Sequence, residues 1–469
     1  MRKKKSNQNV SKTFKYSNKI HWSYSLGSFF DDFGTTVMGT WYYIFYETEI
    51  RLSAILVSLA IAIYGIWNAV NDPIAGYISD YPFKFTRKRG KRFTWFIISA
   101  IPCAIVFIFI FTPPISNDLI EFMWLLIFLC LFDTLFSFMM INWQAIFPDK
   151  YRSHEERTRV GAIQTILSNF GLVIGIAVPW TIITDNPPGS NIPSYISMAM
   201  LTTIILFIIV ILMIPGTLEE QEHIERSYQI DHKKEDGRAF TDTFKFAIRE
   251  KNFMAYLVAY LAQVTVMVIM LASLPYWVKF VLVADPILEQ LLFVPFLLAD
   301  ILSIPFWIRI SRKYGNRIGY MCGTGLTAIF LTFTLIPFDI IGSFVCMTLI
   351  GFSMGATWSL MYPTFSDVID EIVVKTGYRE EGLYYGLRRL FSRLSIVIQA
   401  ITFGIIHPLT NFNPGSLTQS IPAQWGIMIG MLAVPAFFYF LGFLCMWKIY
   451  DLNPKKVQEI KNQLEELKL

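Results

Sequence analysis

Charge is scarce in this 469-residue sequence, because only 16% of its residues are Asp, Glu, Lys or Arg, against roughly 25% in an average soluble domain. Apolar residues make up 54%, and the stretches 93–111, 195–214, 318–338 and 425–447 contain no charged side chain. Each of these stretches is about as long as a bilayer is wide. The composition therefore excludes a conventional soluble enzyme and a nucleic-acid-binding domain, and it predicts an all-α polytopic membrane protein.

Cysteine and histidine are also rare, with five residues of each. All five cysteines fall in apolar stretches, where a lone thiol behaves as a small hydrophobic group rather than as half of a disulfide. The sequence contains no phosphate-binding glycine loop, no histidine pair with metal-ligand spacing and no histidine suited to activate a nucleophile. We therefore expect neither an enzyme nor a protein with a bound metal or organic cofactor.

A regular series of apolar segments occupies most of the chain. A window of about 20 residues predicts twelve membrane-spanning helices, at 20–46, 54–80, 93–112, 119–147, 160–183, 192–214, 252–281, 287–310, 318–337, 341–368, 382–407 and 424–449. Lys and Arg concentrate in alternate loops, such as 84–92 and 309–317, and are absent from 112–118, 184–193 and 407–424. Because cytoplasmic loops collect Lys and Arg, both termini are predicted to be cytoplasmic in a multi-pass protein of the cell membrane.

The twelve predicted spans form two groups of six. A charged linker at 216–251 separates a first half, 20–215, from a second half, 252–450, and these are flanked by a basic N-terminus at 1–19 and a tail at 451–469. Each half has a basic loop after its second span, which is a weak internal repeat. This organisation favours the fold of major facilitator transporters, in which the solute site lies between the halves near the membrane midplane. A twelve-helix bundle without a repeat is the alternative.

Two further patterns concern packing. Pairs of small residues four positions apart allow helices to approach closely, and they occur at Gly171 with Gly175 and at Gly351 with Gly355. Apolar residues recur at helical spacing in the tail, at Val457, Ile460, Leu464 and Leu467. The tail is therefore predicted to form an amphipathic cytosolic helix, which packs on the bundle, lies on anionic lipid, or remains a solvated tail.

Polar residues inside the predicted spans indicate where function lies, because an ionisable group near the bilayer centre costs about 2.5–3.5 kcal/mol. On the second span, Asn68, Asn71 and Asp72 are three to four positions apart and share one helix face. One carboxylate and two amides supply several oxygens for a cation. The same residues also fit a structural role, in which Asp72 pairs with an arginine of the eleventh span to hold the halves together.

Other polar or aromatic residues extend this set of candidates. Asp32, on the first span, lies well inside the membrane, whereas its neighbour Asp31 is assigned to the interface near the loop. Asp133, on the fourth span, adds a carboxylate for cation coupling. Trp358 offers an aromatic face to a sugar ring, although core packing is the commoner use of such a side chain. The remaining candidates for binding a solute are Gln144, Gln164, Arg389 and Arg393.

Three stretches carry a family resemblance. IWNAVNDPIAGYISD (66–80) follows the pattern I-W-D-A-x-x-D-P-x-x-G and precedes a basic loop with a tryptophan, TRKRGKRFTW. The others are SDVIDEIVVKTGYREEGLYYGLRRLFSR at 366–393 and EERTR at 155–159. In all three the chain resembles the glycoside-pentoside-hexuronide:cation symporters, the branch of the major facilitator superfamily that includes the melibiose permeases. The resemblance covers essentially the whole chain.

The resemblance implies a role for each matching position of the cation site. Asp72 matches its second carboxylate, Asn68 replaces the first, and the carboxylate of the fourth helix falls on Met140. Asp133 lies about two turns earlier, at a different place. Since two carboxylates are missing, a sodium site is weakened, and proton coupling through Asp72 or Asp32 is the first hypothesis.

The same resemblance implies how the solute is bound. Asp32 matches an aspartate that bonds sugar hydroxyls, Trp358 matches a tryptophan of the tenth helix, and Arg393 matches a lysine of the eleventh. Gln164 stands where the family has an arginine. An arginine in place of lysine offers a planar fork suited to carboxylate or phosphate, so that an anionic sugar such as a hexuronide is as good a candidate as a neutral disaccharide.

These observations predict a secondary transporter that moves a small polar, sugar-like solute by alternating access in symport with H⁺ or Na⁺. The expected partners are the solute, the coupling cation and the lipid bilayer, without nucleic acid, and the protein is expected to be a monomer. A carrier of lysolipids or other amphiphiles is the alternative within the same fold. A membrane sensor that binds a solute without moving it is the alternative from another class.

Overall fold

The helices follow the predicted apolar segments closely. The computed structural model describes residues 16–80, 83–151, 154–183, 189–220, 240–284, 287–336, 340–377 and 381–467. Its α-helices are α1 (Asn18–Ile44), α2 (Ala54–Asp80), α3 (Lys91–Ile110), α4 (Asp118–Lys150), α5 (His154–Trp180), α6 (Ile192–Thr217), α7 (Phe240–Arg249), α8 (Lys251–Tyr276), α9 (Ile287–Tyr314), α10 (Asn316–Phe333), α11 (Ile340–Thr376), α12 (Glu381–Leu409), α13 (Ile421–Met428), α14 (Val434–Lys448) and α15 (Pro454–Leu467).

Among the described residues, ten helices are long and apolar enough to cross a membrane: α2 to α6, α8, α9, α11, α12 and the continuous pair α13–α14. The other two predicted spans correspond to α1 and α10. Both are helical and packed within the bundle, α1 against α5 and α6, and α10 against α11 and α14. They are less apolar because α1 carries several polar residues and α10 begins with Asn316 and Arg317. The count of twelve spans and the cytoplasmic position of the termini stay predictions.

Matching backbone details occur in the two halves. α1 and α8 each end in a π-helical turn, at Phe45–Glu49 and Trp277–Val281. Each turn is soon followed by a residue with positive φ, Arg51 (65°) or Val283 (48°). α3 and α10 both start after a glycine, Gly90 and Gly315, with φ of 89° and 90°, a conformation that only glycine adopts without strain. This correspondence supports the internal repeat.

The halves pack together mainly at one end of the bundle. We call the end that holds Asn18 the near end, and the end that holds the two π turns the far end. Gly404 on α12 lies against Ser58 at the far end of α2, and Gly65 faces Val397 farther along the same pair of helices. α1 also packs against α8, whereas α5 and α9 make only a short contact.

The tail helix packs on the second half. Val457, Ile460 and Leu464 lie on its inner face, and Ile460 and Leu464 are buried in one apolar cluster with Tyr450 and Leu452. Of the three alternatives for this segment, the structure therefore shows packing on the bundle. Most of the predicted linker, 221–239, lies outside the described residues, and its end forms α7. The predicted domain boundaries stay predictions.

The predicted close helix approaches are present, and they give a test of packing. A Cβ atom at Gly351 on α11 would overlap the carbonyl oxygen of Phe296 on α9, whereas a Cβ at Gly76 on α2 would have no atom within 4 Å. We expect Gly351→Ala to lower the thermal unfolding midpoint of the purified protein by several degrees, because overpacking costs about 1–3 kcal/mol.

Gly76→Ala is the matched control, since it makes the same change in an open place, and it should leave the midpoint unchanged. Equal midpoints for the two variants would contradict the close packing of α9 against α11.

Candidate transport site

Asp133, on α4, is bound by two amides of α2. Asn71 Nδ2 donates to Asp133 Oδ2 at 3.1 Å and to its carbonyl oxygen at 3.3 Å, and Asn68 Nδ2 donates to Asp133 Oδ1. All three residues are only 2% exposed. It is therefore Asp133, not the position of Met140, that brings a carboxylate of α4 to the α2 amides. Asn68 and Asn71 therefore face α4 inside the first half, where their amides bond Asp133.

Asp72, the next polar residue along α2, connects the two halves. Ser137 Oγ on α4 donates to Asp72 Oδ1 at 2.6 Å, and Arg393 Nη2 on α12 donates to Asp72 Oδ2 at 3.0 Å. Arg389 Nε lies 3.9 Å from the same Oδ2 atom. The Asp72 side chain is 15% exposed and that of Arg393 is 23% exposed, so the ion pair is largely shielded. Its position between the halves suits either of the two roles considered for Asp72, structural or functional.

The two aspartates of α1 face different partners. The Asp32 carboxylate accepts a hydrogen bond from Ser168 on α5. Asp31 lies close enough to Arg389, Arg393 and Asp72 to interact with them electrostatically. The assignment of Asp31 to the interface near the loop is therefore wrong, because adjacent residues on a helix point about 100° apart and it is Asp31 that faces the second half.

The remaining candidates lie around this network. Arg389 Nη1 donates to Gln144 Oε1 on α4 at 3.4 Å, a long bond that joins the two halves again. Gln164 is on α5, one turn before Ser168, and Trp358 is on α11 with 36% of its surface exposed. Within the described part of the chain, no hydrogen bond, ion pair or ring contact joins Gln164 or Trp358 to the other candidates.

Polar side chains exposed inside the spans, between their middle and the near end, indicate a cavity that opens toward the near end. Gln144, Asn169 and Arg389 are exposed or partly exposed there, and such groups face water-filled space rather than lipid. Past Asp72, α2 carries further exposed side chains, since Ile74 is 43% and Tyr77 79% exposed. The far end is closed by contacts that include a 3.3 Å hydrogen bond from Tyr42 Oη to Gln399 Oε1.

Several partners in this site are not evident from the sequence. Ser137 and Ser168 are not identified from the sequence, because a single serine on an apolar helix does not indicate a binding site. Their spacing does carry some information, since Ser137 lies one turn after Asp133 and Ser168 one turn after Gln164. Gln399 stands out as a polar residue of the eleventh span, but only the structure shows that it bonds Tyr42 of the other half.

The sequence matches the MFS/sugar transport protein family over residues 23–454. The chain belongs to this family. It is therefore a transporter of the major facilitator type and an integral, multi-pass membrane protein. The resemblance to glycoside:cation symporters is confirmed, because relatives include an isoprimeverose transporter of Lactiplantibacillus pentosus, 23% identical over 46% of this chain and 46% of that protein. They also include a putative sulfoquinovose importer of Escherichia coli, 22% identical over 93% of this transporter and 92% of the relative.

Another relative is named for a lipid rather than for a sugar. The sodium-dependent lysophosphatidylcholine symporter 1-A of Danio rerio is 20% identical over 92% of this transporter and 85% of the relative. Among solved structures, a D-xylose-proton symporter superposes with a TM-score of 0.59 at 15% identity, covering 93% of this chain and 98% of that one. At this identity the structural likeness shows the shared fold alone.

The ion pair between the halves gives a stability test. We expect Asp72→Asn alone and Arg393→Gln alone each to lower the thermal midpoint, because removing one partner of a buried pair costs about 3–5 kcal/mol. The double variant removes both charges, and it should recover most of the loss. Thermal unfolding of purified protein measures all three midpoints. If the midpoint of the double variant falls by as much as the two single decreases added together, the two side chains do not interact.

Proposed function

We propose that this protein is a cation-coupled symporter of a small, polar, sugar-like solute in the cell membrane, working as a monomer by alternating access. The observation that carries the proposal is the Asp72–Arg393 ion pair, which joins the halves beside a buried carboxylate, Asp133. A carboxylate that can bind either a cation or a guanidinium links the occupancy of the cation site to the state of the arginines that bind the solute. Such a shared partner gives a coupling free energy between cation and solute.

The first half supplies the proposed cation site. Asp133 and Asp72 bring two carboxylates within reach of the Ser137 hydroxyl and the α2 amides. Among the described residues, no group donates a hydrogen bond to the buried Asn68 Oδ1, so an acceptor oxygen is left over. Carboxylate, amide and hydroxyl oxygens are ligands for a hard cation, and the carboxylates also bind a proton. Both H⁺ and Na⁺ therefore fit this donor set.

The second half supplies the proposed solute contacts. The Arg389 side chain is 41% exposed, and its guanidinium reaches toward the cavity between Asp72 and Gln144. A planar, partly exposed guanidinium binds a carboxylate, sulfonate or phosphate in a two-pronged fashion. Asp32 and Gln164 on the opposite wall offer acceptors and donors for hydroxyl groups. An acidic sugar, held at its anionic group by Arg389, fits these contacts.

The coupling step follows from the shared carboxylate. A cation that binds at Asp72 competes with Arg393 for the same oxygen atoms. The guanidiniums of Arg393 and Arg389 are then left to bind the anionic group of the solute, so each ligand favours binding of the other. When the cation and the solute have both left at the near end, the Asp72–Arg393 pair forms again. The empty transporter is then ready for another cycle.

A second candidate, a lysolipid carrier, is favoured by one observation. α5 and α9 are the least buried of the ten spans, and Phe170 on α5 and Leu298 and Leu302 on α9 are all more than half exposed. These two helices make only a short contact, so an amphiphile has an apolar route between them. The name of the lysophosphatidylcholine symporter relative points the same way. The phosphate of a lysolipid headgroup would then bind at Arg389 in place of the anionic group of a sugar.

Uptake into proteoliposomes tests the proposal. Neutral sugars, uronates and a lysolipid are offered under an imposed H⁺ or Na⁺ gradient, and we expect uphill uptake of a uronate or sugar. Asp72→Asn should abolish gradient-driven uptake, because the shared carboxylate is gone. Asp300→Asn, a matched change in the middle of α9 away from the network, should leave uptake unchanged.

Two results would overturn parts of the proposal. Uphill uptake that persists in Asp72→Asn would remove Asp72 from coupling. If only the lysolipid is transported, and no sugar or uronate is, the assignment of the fold stands but the proposed solute class is wrong.

A further inference from the structure

The hydrogen bond between Tyr42 and Gln399 lies in the part of the bundle that closes the far end. Tyr42, near the end of α1, belongs to the first half, and Gln399 on α12 belongs to the second. The Tyr42 hydroxyl donates to Gln399 Oε1 at 3.3 Å, and the two residues are 3% and 1% exposed. Ala400 and Phe403, which follow Gln399 on α12, are buried and apolar. A polar pair is therefore enclosed where the halves touch.

Gln399 is only half satisfied in this closed arrangement. Its amide has a donor end and an acceptor end, and one end bonds Tyr42. Among the described residues, no group bonds the other end, Nε2, although this atom is buried. A buried amide group without a partner is destabilising, and a leucine of similar size would pack here without that cost. Closure of the far end alone does not explain a glutamine at this position.

Another polar contact that crosses the halves at the far end is fully paired. Glu47, in the π turn after α1, accepts a hydrogen bond from the Tyr276 hydroxyl at 2.6 Å, and His407 Nδ1 lies 2.8 Å from its other oxygen. Both carboxylate oxygens of Glu47 therefore have a partner while the far end is closed. The amide of Gln399 differs from this contact in having one end without a partner.

Gln263 on α8 is a buried glutamine whose contacts lie within one half. Its Oε1 atom accepts a hydrogen bond from the Tyr320 hydroxyl at 2.8 Å, and its Nε2 atom donates to the sulfur of Met361 at 3.9 Å. All three residues belong to the second half, so a separation of the halves leaves these contacts in place. Gln263 is therefore a natural control for Gln399.

The Tyr42–Gln399 pair lies next to the transport site, on its far-end side. Gln399 comes six residues after Arg393 on α12, which places it about 9 Å farther toward the far end. Tyr64 on α2 connects the two places. It lies close enough to Tyr42 on one side, and to Asp133 and Arg393 on the other, to interact with them electrostatically.

Alternating access gives the pair a second environment. When the far end opens, the halves separate at Tyr42 and Gln399, and water and solute then reach both side chains. Gln144 is the counterpart on the near-end side, because it is exposed in the cavity and accepts a bond from Arg389 across the halves at 3.4 Å. Each half thus supplies one glutamine, and the two lie on opposite sides of the transport site.

We propose that Tyr42 and Gln399 form the far-end wall of the solute site and bind solute hydroxyl groups when the cavity opens to the far end. An amide and a phenol both donate and accept, which suits neutral hydroxyl groups, whereas the anionic group of the solute binds at Arg389. When the cavity opens to the near end, the two side chains bond each other and close the path behind the solute. The inference rests on the proposed function and specifies its far-end solute contacts.

Cysteine labelling tests whether opening of the far end exposes Gln399, and it needs no solute. Gln399→Cys is made in a background without the five native cysteines, and the protein in nanodiscs is treated with a water-soluble maleimide. We expect labelling at least about tenfold faster than in Gln263→Cys, because separation of the halves uncovers only the first site. Gln144→Cys, which is already exposed, verifies that the reagent reacts. Equally slow labelling at positions 399 and 263 would overturn the inference.

Transport kinetics test whether Gln399 contacts the solute. Gln399→Leu keeps the size of the side chain and removes both polar ends. Glucuronate, glucose and a lysolipid are offered to intact cells, where the predicted topology places the far end outside. For a solute that is taken up, we expect KM to rise about tenfold, as for one or two lost neutral hydrogen bonds. The thermal midpoint should stay the same or rise, because the half-satisfied amide is gone.

A contact that only closes the far end predicts the opposite result. Its loss would enlarge the population with an open far end, and the apparent KM for solute entering there would fall. An unchanged or lower KM in Gln399→Leu would therefore overturn the solute contact. If none of the three solutes is taken up, the proposed solute class is wrong, whereas labelling of Gln399→Cys still decides whether the pair lines the open far end.

Discussion

An ionisable side chain inside a membrane is costly unless a charged, aromatic or hydrogen-bonding group of the protein stabilises it, and the arrangement of these helices depends on that constraint. Asp72 pairs with Arg393, Asp133 is held by two amides, and Glu47 is held by Tyr276 and His407. Arg388 is satisfied differently, because its guanidinium lies 4.8 Å from the ring centres of Tyr260 and of Tyr362 and donates to the hydroxyl of Tyr256. Since the partners lie on different helices, each pairing also fixes how a helix is rotated about its axis.

These pairings fall into two kinds with different consequences for movement. The bonds of Asp133 stay within the first half and those of Arg388 within the second, so they can persist while the halves rock against each other. The bonds of Asp72 and Glu47 cross between the halves, and the proposed rocking of the halves has to exchange them for other partners. Rigid halves and exchangeable contacts between them are the two properties that alternating access requires.

Much of this fold could be predicted from the sequence, because apolar segments of membrane length leave little choice of structure. The predicted segment at 54–80 coincides with α2, and the predicted bond partner of Asp72, an arginine of the eleventh span, is the one observed. Helix rotation was harder to predict. Asp31 and Asp32 are adjacent, and only packing against α5 and α12 decides that Asp32 meets Ser168 while Asp31 faces the arginines. Glu47 escaped notice because a glutamate at the end of a span usually faces water, and the π turn that brings it inward has no sequence signal.

The carboxylates of the transport site lie on helices of the first half, and its guanidiniums, Arg389 and Arg393, lie on α12 of the second. These opposite charges therefore set up an electric dipole across the proposed site, directed from the first half to the second. A solute with an uneven charge distribution enters this field in one preferred orientation, with its negative end toward α12. The field thus favours this orientation before any close contact forms, and it disfavours the reversed orientation of the same solute.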